Sequence, residues 1–518
     1  MHLDLVILLL LVAIAGLAAV ARVLQVPYPI LLVLGGLGLG LIPGADGIRL
    51  DPDLVLLIFL PPLLYGAAFF NNPRELARNA RPIGLLAIGL VIATVAGVAI
   101  VGHGLVGLPW PVAFTLGAIV SPTDAVAPGE IIRRLGVPRR VVTIVEGENL
   151  TNDWTALTVY RFALAAVASG TFSIVEAAPK FLLTGLGGVA VGLVAGVALR
   201  WVRRRLDDPP TEITLSLISG YVAYLPAEEL GLSGVIAAVT VGLYMGWYTS
   251  ELTTAATRLQ LDGVWSTLQF LLNAVLFVLV GLQLRPIVGR LDGVTVAQVL
   301  GYAAAVAATV ILTRLVWVYV LTYLPRRLSA RLRARDPLPP WRNVTVIAYS
   351  SMRGAVALAA ALALPPDFPR RDLVVFLTYA VILATLVLQG LTLPWVIRRL
   401  GVENDGLDER EELEARMRAA EAAIERIDAL AGEEWVFDDT AERTRGLYDF
   451  RRRRFAARMD GTDGTIDERS ARYQRLLREV IAAEREAIVD LRNRGAITDD
   501  VKRRVERDLD LEETRLDA

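Results

Sequence analysis

The 518-residue chain contains no cysteine and only two histidines. The absence of cysteine excludes a disulfide framework, a cysteine-based metal site and a cysteine nucleophile, and two histidines are too few for a histidine-rich metal site. The formal net charge of −1 gives no support to nucleic-acid binding, which calls for a basic surface. No phosphate-binding loop or metal-binding cluster is visible, so no cofactor is predicted.

Apolar residues make up 54% of the chain, and the charged residues are unevenly spread. Residues 401–518 hold 32 Asp/Glu against 23 Lys/Arg, which leaves 22 and 30 for residues 1–400, or net charges near −9 and +8. This split rules out one ordinary soluble globule. It predicts a transmembrane domain over 1–400, followed by a charged, helical cytoplasmic domain over 401–518.

Residues 1–400 consist of repeated apolar runs of about 18–25 residues, the length that crosses a bilayer as a helix. The expected fold is therefore an all-α polytopic membrane protein. Gly and Pro blur several boundaries and leave counts of twelve or fourteen open, but thirteen spans are favoured. They lie near 3–21, 27–43, 53–70, 82–106, 110–134, 140–169, 175–202, 211–226, 231–248, 264–284, 295–324, 343–364 and 373–397.

Arginine is concentrated in alternate loops between these runs, for example at 74–81, 133–140, 203–205 and 326–342. Because cytoplasmic loops carry the excess of positive charge, this side is predicted to be the cytoplasm. The N-terminus then lies outside the cell membrane and the C-terminus in the cytoplasm, which requires an odd number of spans.

Polar groups inside predicted spans are costly and therefore usually functional. The span 140–169 contains Glu148, Asn149, Asn152 and Asp153. A spacing of four puts Glu148 beside Asn152 and Asn149 beside Asp153, so all four project over one sector of about 100°. That sector is expected to face a water-filled cavity or other helices, and its oxygens suit Na⁺, Li⁺ or a proton. The alternative is interhelical hydrogen bonding that only holds the bundle together.

The span 110–134 is interrupted by the sequence SPTDAVAPGE. Pro122 and Pro128 each remove a backbone donor and disfavour helix before them, so the helix is predicted to be unwound between them. Asp124 can offset the positive end of the half helix that follows. Thr123 adds a hydroxyl and a carbonyl oxygen. A simple proline kink is the alternative.

A second weak helix lies in the span 343–364, at SSMRGAVALA. Arg353 is a buried guanidinium there that needs a partner, and Glu148 is the candidate. The alternative is an Arg353 near a helix end, with its charged head in water. The two interrupted spans lie seven spans apart and so run in opposite directions, which suggests inverted repeats with the site at the crossing of two unwound helices.

Three motifs, SPTDAVA, GENLTND and MRGAVALA in this order, resemble the signatures of bacterial sodium/proton exchangers of cation:proton antiporter family one. The resemblance covers essentially all of 1–400, including the runs LPPLLYGAAF and FVLVGLQL. It implies a homodimer in the bacterial plasma membrane, with a core domain and a dimerisation domain in each chain.

The resemblance also implies roles for individual residues. Asn152 and Asp153 are the pair whose carboxylate carries the ion, and Thr123 and Asp124 lie at the helix crossing. Na⁺ is expected at Asp153 and Thr123. Glu148 and Arg353 are expected to form a structural ion pair. The expected ion-binding residues are Asp153, Asn152, Asn149, Thr123 and Asp124.

Three positions depart from the family pattern. Asn149 replaces the usual Ser, which affects ion selectivity, because an amide oxygen takes the place of a hydroxyl. Gly66 stands where many relatives carry Glu, so one carboxylate is absent. Ala125 replaces a frequent Pro, so the unwinding is expected to depend on Pro122 and Pro128.

These residues predict secondary active transport by alternating access, in which Na⁺, or else Li⁺ or K⁺, exchanges for H⁺ and serves pH and sodium homeostasis. Burial disfavours a bare charge on Asp153, so either a cation or a proton must neutralise it. One carboxylate beside the amide of Asn152 favours electroneutral one-for-one exchange. A cation channel and a membrane-anchored sensor are the alternatives. The sequence shows neither a histidine base nor a Ser-His pairing, so it gives no support to an enzyme.

The segment after residue 401 is expected to form three or four amphipathic helices. Thr498 is expected to cap the last one, which ends near Leu516. A solvated helical domain that packs on itself or on a twin chain is favoured over a ligand sensor. The apolar stripe on its first helix steps by three and four residues through Leu413, Met417, Ala420, Ile424, Ile427 and Leu430.

Overall fold

The computed structural model describes residues 3–24, 26–40, 52, 55–171, 173–289, 295–460 and 464–517, and every regular element in these ranges is a helix. The chain divides into two units, Met1–Asn404 and Asp405–Ala518. The division lies four residues beyond the change of composition at residue 401.

Each of the thirteen predicted spans corresponds to helical structure. The end of the second predicted span and the start of the third lie outside the described residues. The helices are α1 (Leu3–Leu24), α2 (Tyr28–Gly40), α3 (Leu60–Phe69), α4 (Ala80–Gly104), α5a (Trp110–Val120), α5b (Val126–Arg134), α6 (Arg139–Ser169), α7 (Ile174–Arg203), α8 (Pro209–Glu229), α9 (Gly234–Leu252), α10 (Ala255–Leu282), α11 (Val296–Leu328), α12a (Trp341–Tyr349), α12b (Ala355–Leu362) and α13 (Arg371–Leu400).

Three π-helical stretches interrupt these helices, and short helices connect some of them. One π stretch, Val55–Phe59, leads into α3, and Leu85–Leu90 and Ala384–Gln389 lie inside α4 and α13. Such stretches leave backbone carbonyls free for other partners. The connecting helices are Pro73–Arg78, Leu284–Val288 and Ala330–Arg335.

Within the described residues, five stretches of helix are both long and apolar enough to cross a bilayer without interruption. Helix α6 has 31 residues but is not among them, because it carries the charged sequence singled out above. The functional site is therefore to be sought on α5, α6 and α12. The five stretches are Ala80–Gly104, Ile174–Arg203, Ala255–Val288, Val296–Leu328 and Arg371–Leu400.

The first unit is built from two groups of helices. Helices α4–α6 and α11–α13, here the site bundle, pack around the broken helices, and α1–α3 with α7–α10, here the facing bundle, pack opposite them. Glycines allow the close helix contacts that are common in membrane proteins. On α7, a Cβ added at Gly192 would lie 2.6 Å from the carbonyl oxygen of Ala237 in α9, and one added at Gly188 would lie 2.6 Å from that of Ser233, which immediately precedes α9.

The described part of the second unit forms four helices, the upper end of the predicted range. Ala420 and Ile424 of the predicted stripe are buried. The backbone N–H of Val501 donates to the Thr498 hydroxyl at 3.4 Å, which confirms the predicted cap. The helices are α14 (Leu407–Leu430), α15 (Asp438–Asp460), α16 (Gly464–Asn493) and α17 (Asp499–Asp517).

Candidate functional site

The first broken helix stops at Val120 and resumes at Val126, so residues 121–125 are unwound. Pro122 lies inside the break. Pro128 lies in the first turn of α5b, where backbone N–H groups have no intrahelical partner and a proline is tolerated. The expectation that the helix stays unwound as far as Pro128 is therefore wrong.

The second broken helix is unwound over residues 350–354, and the two breaks touch. The backbone N–H of Asp124 donates to the carbonyl of Met352 at 2.8 Å. A Cβ on Gly354 would lie 2.7 Å from Cγ of Asp124, so only glycine fits there. The two unwound segments are thus joined directly, which confirms the predicted crossing.

Asp124 and Arg353 neutralise the ends of the half helices. The Asp124 Oδ1 atom accepts a hydrogen bond of 2.8 Å from the N–H of Val126, the first residue of α5b. The Nε of Arg353 donates to the carbonyl of Val120, the last residue of α5a, at 3.1 Å, and its Nη1 donates to the carbonyl of Ser351. An anion at a helix start and a cation at helix ends oppose the helix dipoles, so these two charges stabilise the breaks.

Arg353 does not form the predicted ion pair with Glu148. Arg314 of α11 forms it instead, through Nη1 to Oε1 at 2.5 Å and Nη2 to Oε2 at 2.7 Å. Arg314 also donates to the carbonyl of Ile347 in α12a, so its donors are well used. The prediction overlooked Arg314, although a lone arginine in the middle of the apolar run 295–324 was the available signal.

The polar residues of α6 divide into two stripes with different surroundings. Glu148 and Asn152 point at the first break: the Thr123 hydroxyl donates to Glu148 at 3.1 Å, and the Asn152 amide donates to the Thr123 carbonyl at 3.1 Å and hydroxyl at 2.8 Å. This stripe fixes the unwound backbone. The neighbouring stripe, Asn149 and Asp153, lines a cavity.

The cavity has a volume of about 730 Å³ and lies between the two bundles. Asp153 lines it, is 7% exposed, and forms no hydrogen bond or ion pair with any other described residue. The buried Oδ1 of Asn149 likewise has no partner among them. Thr123 and Asp124 line the same cavity, whereas Asn152 lies behind it. Four of the five predicted ion-binding residues thus share one water-accessible space.

The cavity mouth lies at the arginine-rich end of the bundle, where Asp262 is exposed. Arg133, whose side chain is 66% exposed, forms an ion pair of 2.6 Å with Glu146 there. Toward the other end of α6, the Tyr160 hydroxyl donates to the carbonyl of Ala360 at 3.1 Å. The cavity therefore has exposed lining residues, Arg133 and Asp262 among them, on the side with the basic loops.

Gly66 has a structural explanation. It lines the cavity, and a Cβ there would lie 2.5 Å from Nε2 of Gln269 and 2.9 Å from the ring of Trp265. A glutamate would not fit without a shift of α10. The Gln269 amide takes up the space instead.

A second buried pair of charges lies in the facing bundle. Arg203 and Glu212 are 0% and 1% exposed and 3.8 Å apart, although Arg203 was predicted to lie in a loop. This buried pair does not line the cavity. In the described part of the chain, no group of three or more His, Cys, Asp or Glu side chains is placed to hold a metal ion.

The fold and the site together define a polytopic helical membrane transporter, with an unpaired carboxylate beside two crossed, broken helices. Residues 7–399 match the family described as sodium/hydrogen exchanger, transmembrane, and the chain belongs to this family. The family consists of secondary transporters that exchange ions, which sets aside the channel, sensor and enzyme alternatives.

Individual relatives agree with this assignment. The chain is 36% identical over 528 residues to the Na⁺/H⁺ exchanger Rv2287 of Mycobacterium tuberculosis, with 98% of this chain and 96% of that protein covered. It is 35% identical over 411 residues to the Na⁺/H⁺ antiporter ApNhaP of Aphanothece halophytica, with 78% and 76% covered. The structure of the sodium proton antiporter MjNhaP1 from Methanocaldococcus jannaschii has the same fold, with a TM-score of 0.60, 20% identity and 77% and 99% covered.

Proposed function

We propose that this protein exchanges an alkali cation, Na⁺ first among them, for a proton, and that Asp153 carries each in turn. The observation that carries the proposal is a carboxylate that is 7% exposed, lines a cavity and has no partner in the described structure. A buried charge without a partner is unfavourable, so the carboxylate needs a cation or a proton. If the site cannot switch between the two sides of the membrane while Asp153 is charged and empty, each switch must carry a cation or a proton, and the two ions are exchanged.

The surrounding charges support a single exchange group. Glu148 is neutralised by Arg314, and Arg353 lies against the carbonyl of Val120. Asp124 is occupied by the N–H of Val126. Of the charges on α6 and in the two breaks, Asp153 alone has no fixed partner among the described residues, which supports electroneutral one-for-one exchange; Glu130 of α5b also lines the cavity and has one buried oxygen without a partner there.

The ion would bind to oxygens around the cavity. Asn149 offers an unpartnered Oδ1, and Thr123 and Asp124 offer oxygens from the first break. Hard oxygen ligands suit alkali cations. Asn152 would act indirectly, because its amide holds Thr123 in place.

Orientation and assembly complete the proposal. The exposed end of the cavity lies beside the basic loops, which the positive-inside rule assigns to the cytoplasm, so the described conformation is open to the cytoplasm. The same rule places the N-terminus outside and residues 405–518 in the cytoplasm. We propose a homodimer in a bacterial cell membrane, as the family resemblance implies, and no cofactor other than the transported ions. Light scattering of the purified protein tests the dimer.

The exchange is tested in proteoliposomes that contain a pH-sensitive dye. Addition of Na⁺ should release protons from vesicles with the wild-type chain and from none with Asp153→Asn. The variant should purify as a folded protein, because Asp153 forms no hydrogen bond or ion pair with any other described residue. Asp262→Asn removes an exposed carboxylate from the same cavity and should change the rate only a few-fold. Normal exchange by Asp153→Asn would contradict the proposal.

Two further measurements refine it. Replacing Na⁺ by Li⁺ and K⁺ in turn ranks the cations that Asp153 and Asn149 accept. Imposing a membrane potential tests the stoichiometry, since one-for-one exchange moves no net charge. A rate that rises steeply with voltage would rule out electroneutral exchange.

A further inference from the structure

A groove with apolar walls and a basic rim lies in the site bundle, away from the transport cavity. Helices α4, α6, α11 and α12a form it at the end of the bundle that carries the arginine-rich loops. Leu85, Trp317 and Leu321 are among its apolar walls. Its basic rim consists of Arg81, Arg140 and Arg326.

The rim carries excess positive charge. Asp336 accepts a hydrogen bond of 2.8 Å from Arg140 and also pairs with Arg326. Partial burial alone would raise the pKa of Asp336, but the hydrogen bonds and charges of these two arginines outweigh it and leave the pKa below its usual value. Arg81 is exposed and has no partner among the described residues. The rim thus carries three guanidinium groups, and among the described residues Asp336 is the one carboxylate that pairs with any of them.

The apolar walls are firmly held. The Trp317 ring donates through Nε1 to the carbonyl of Leu85, the first residue of the π-helical stretch in α4, at 3.0 Å. A Cβ on Gly89 would lie 2.6 Å from this ring, so glycine lets the indole pack closely on α4. The enclosed part of the groove is small, about 80 Å³, which is room for part of a chain rather than for a whole molecule.

We propose that this groove binds an anionic phospholipid, with the phosphate at Arg81 and Arg140 and an acyl chain along Trp317 and Leu321. Basic pockets between membrane helices at the cytoplasmic surface bind anionic headgroups. An apolar wall that continues from the basic rim fits a lipid better than a free phosphate, which has no apolar part to bury.

The lipid would contact helices that hold the ion site. Trp317 lies one turn after Arg314 on α11, and Ile144 of the groove lies one turn before Glu148 on α6. Ile347 also lines the groove, and its carbonyl accepts from Arg314. A bound lipid would therefore bridge the elements joined by the Glu148–Arg314 pair and stabilise the site bundle.

The test is thermal unfolding of the detergent-purified full chain with added dioleoyl phosphatidylglycerol, dioleoyl phosphatidylcholine or glycerol 3-phosphate. Phosphatidylglycerol should raise the unfolding temperature, and the other two should have little effect. In Arg81→Gln the half-saturating amount of phosphatidylglycerol should rise about tenfold, the loss expected for one charge-assisted contact.

Arg78→Gln is the matched control. Arg78 is an exposed arginine three residues from Arg81 and does not line the groove, so its half-saturation should equal that of the wild type. Equal stabilisation by phosphatidylcholine would overturn the proposal, as would equal shifts in the two arginine variants. Equal stabilisation by glycerol 3-phosphate would assign the groove to a soluble phosphate and overturn the lipid. All of these binding results are independent of whether Asp153 exchanges ions.

Discussion

Replacing Arg314 by methionine should destabilise the transmembrane unit by about 3–5 kcal/mol, the usual effect of removing one partner of a buried ion pair. The structure supports the upper part of this range. Glu148 is 2% exposed, and both of its oxygens accept from Arg314. The Ile347 carbonyl would also lose two hydrogen bonds. Methionine keeps most of the side-chain volume, so the effect reports the lost charge rather than a cavity.

The assay is reversible unfolding in mixed detergent micelles, followed by the far-ultraviolet circular dichroism of the helices. Arg133→Met is the control, because it breaks an ion pair of similar length with Glu146 at a site where the arginine is 66% exposed. Such a pair contributes about 0–1 kcal/mol. The double variant Arg314→Met with Glu148→Gln should recover part of the loss, with a coupling of about 2 kcal/mol or more. If Arg314→Met unfolds no more easily than Arg133→Met, the pair is not a scaffold and the reasoning fails.

Three other predictions concern separate parts of the chain. Gly354→Ala should reduce exchange at least about tenfold and destabilise the protein by about 1–3 kcal/mol, because the new Cβ overlaps Asp124. Gly263→Ala is the control and should have neither effect, since nothing lies within 4 Å of its Cβ. Unchanged proton flux in Gly354→Ala would argue against the tight crossing. Asp336→Asn should lower stability at neutral pH, because a carboxylate whose folded pKa is depressed stabilises the fold above its ordinary pKa and loses that effect as the pH falls through the folded pKa. The difference in stability between wild type and variant should therefore shrink as the solution is acidified, and a difference that grows with acid would contradict the sign. Deleting Asp405–Ala518 should leave dye-detected exchange in proteoliposomes, and its loss would show that the second unit is needed for transport.

Hydropathy was enough to locate the helices of the first unit, because a bilayer imposes both length and apolar composition on each span. The residue types within two spans located both breaks, because proline in one span and serine with glycine in the other weaken a helix. The extent of each break was less accessible. Whether Pro128 ends the unwound segment depends on where α5b begins, which tertiary contacts decide rather than local sequence.

The charged residues of the site were found, but their pairing was not. Counting polar groups inside spans identified Glu148 and Arg353 as buried charges. Arg314 is a single charge in a 33-residue apolar helix, and a hydropathy pattern does not reveal that such a charge has a buried partner. Which arginine reaches Glu148 depends on the relative rotation of α6, α11 and α12, and one sequence carries no record of that rotation.

The spacing of four residues on α6 predicted part of the arrangement of its polar side chains. It predicted that Asn149 would accompany Asp153, and both line the cavity. It did not predict that the other stripe would turn away from water, toward Thr123. A hydrophobic pattern cannot separate two polar stripes on one helix, because each is equally polar.

The hydrogen bond between Asp124 and Met352 has a consequence for how such a protein can be tuned. It ties the two broken helices together beside Asp153, so a movement of one break would carry the other with it. The opposite wall of the cavity, with Leu64 and Gly66, belongs to another set of helices. Substitutions on the wall with Leu64 and Gly66 can therefore change turnover, and substitutions around Asp153 can change cation preference, each without altering the other.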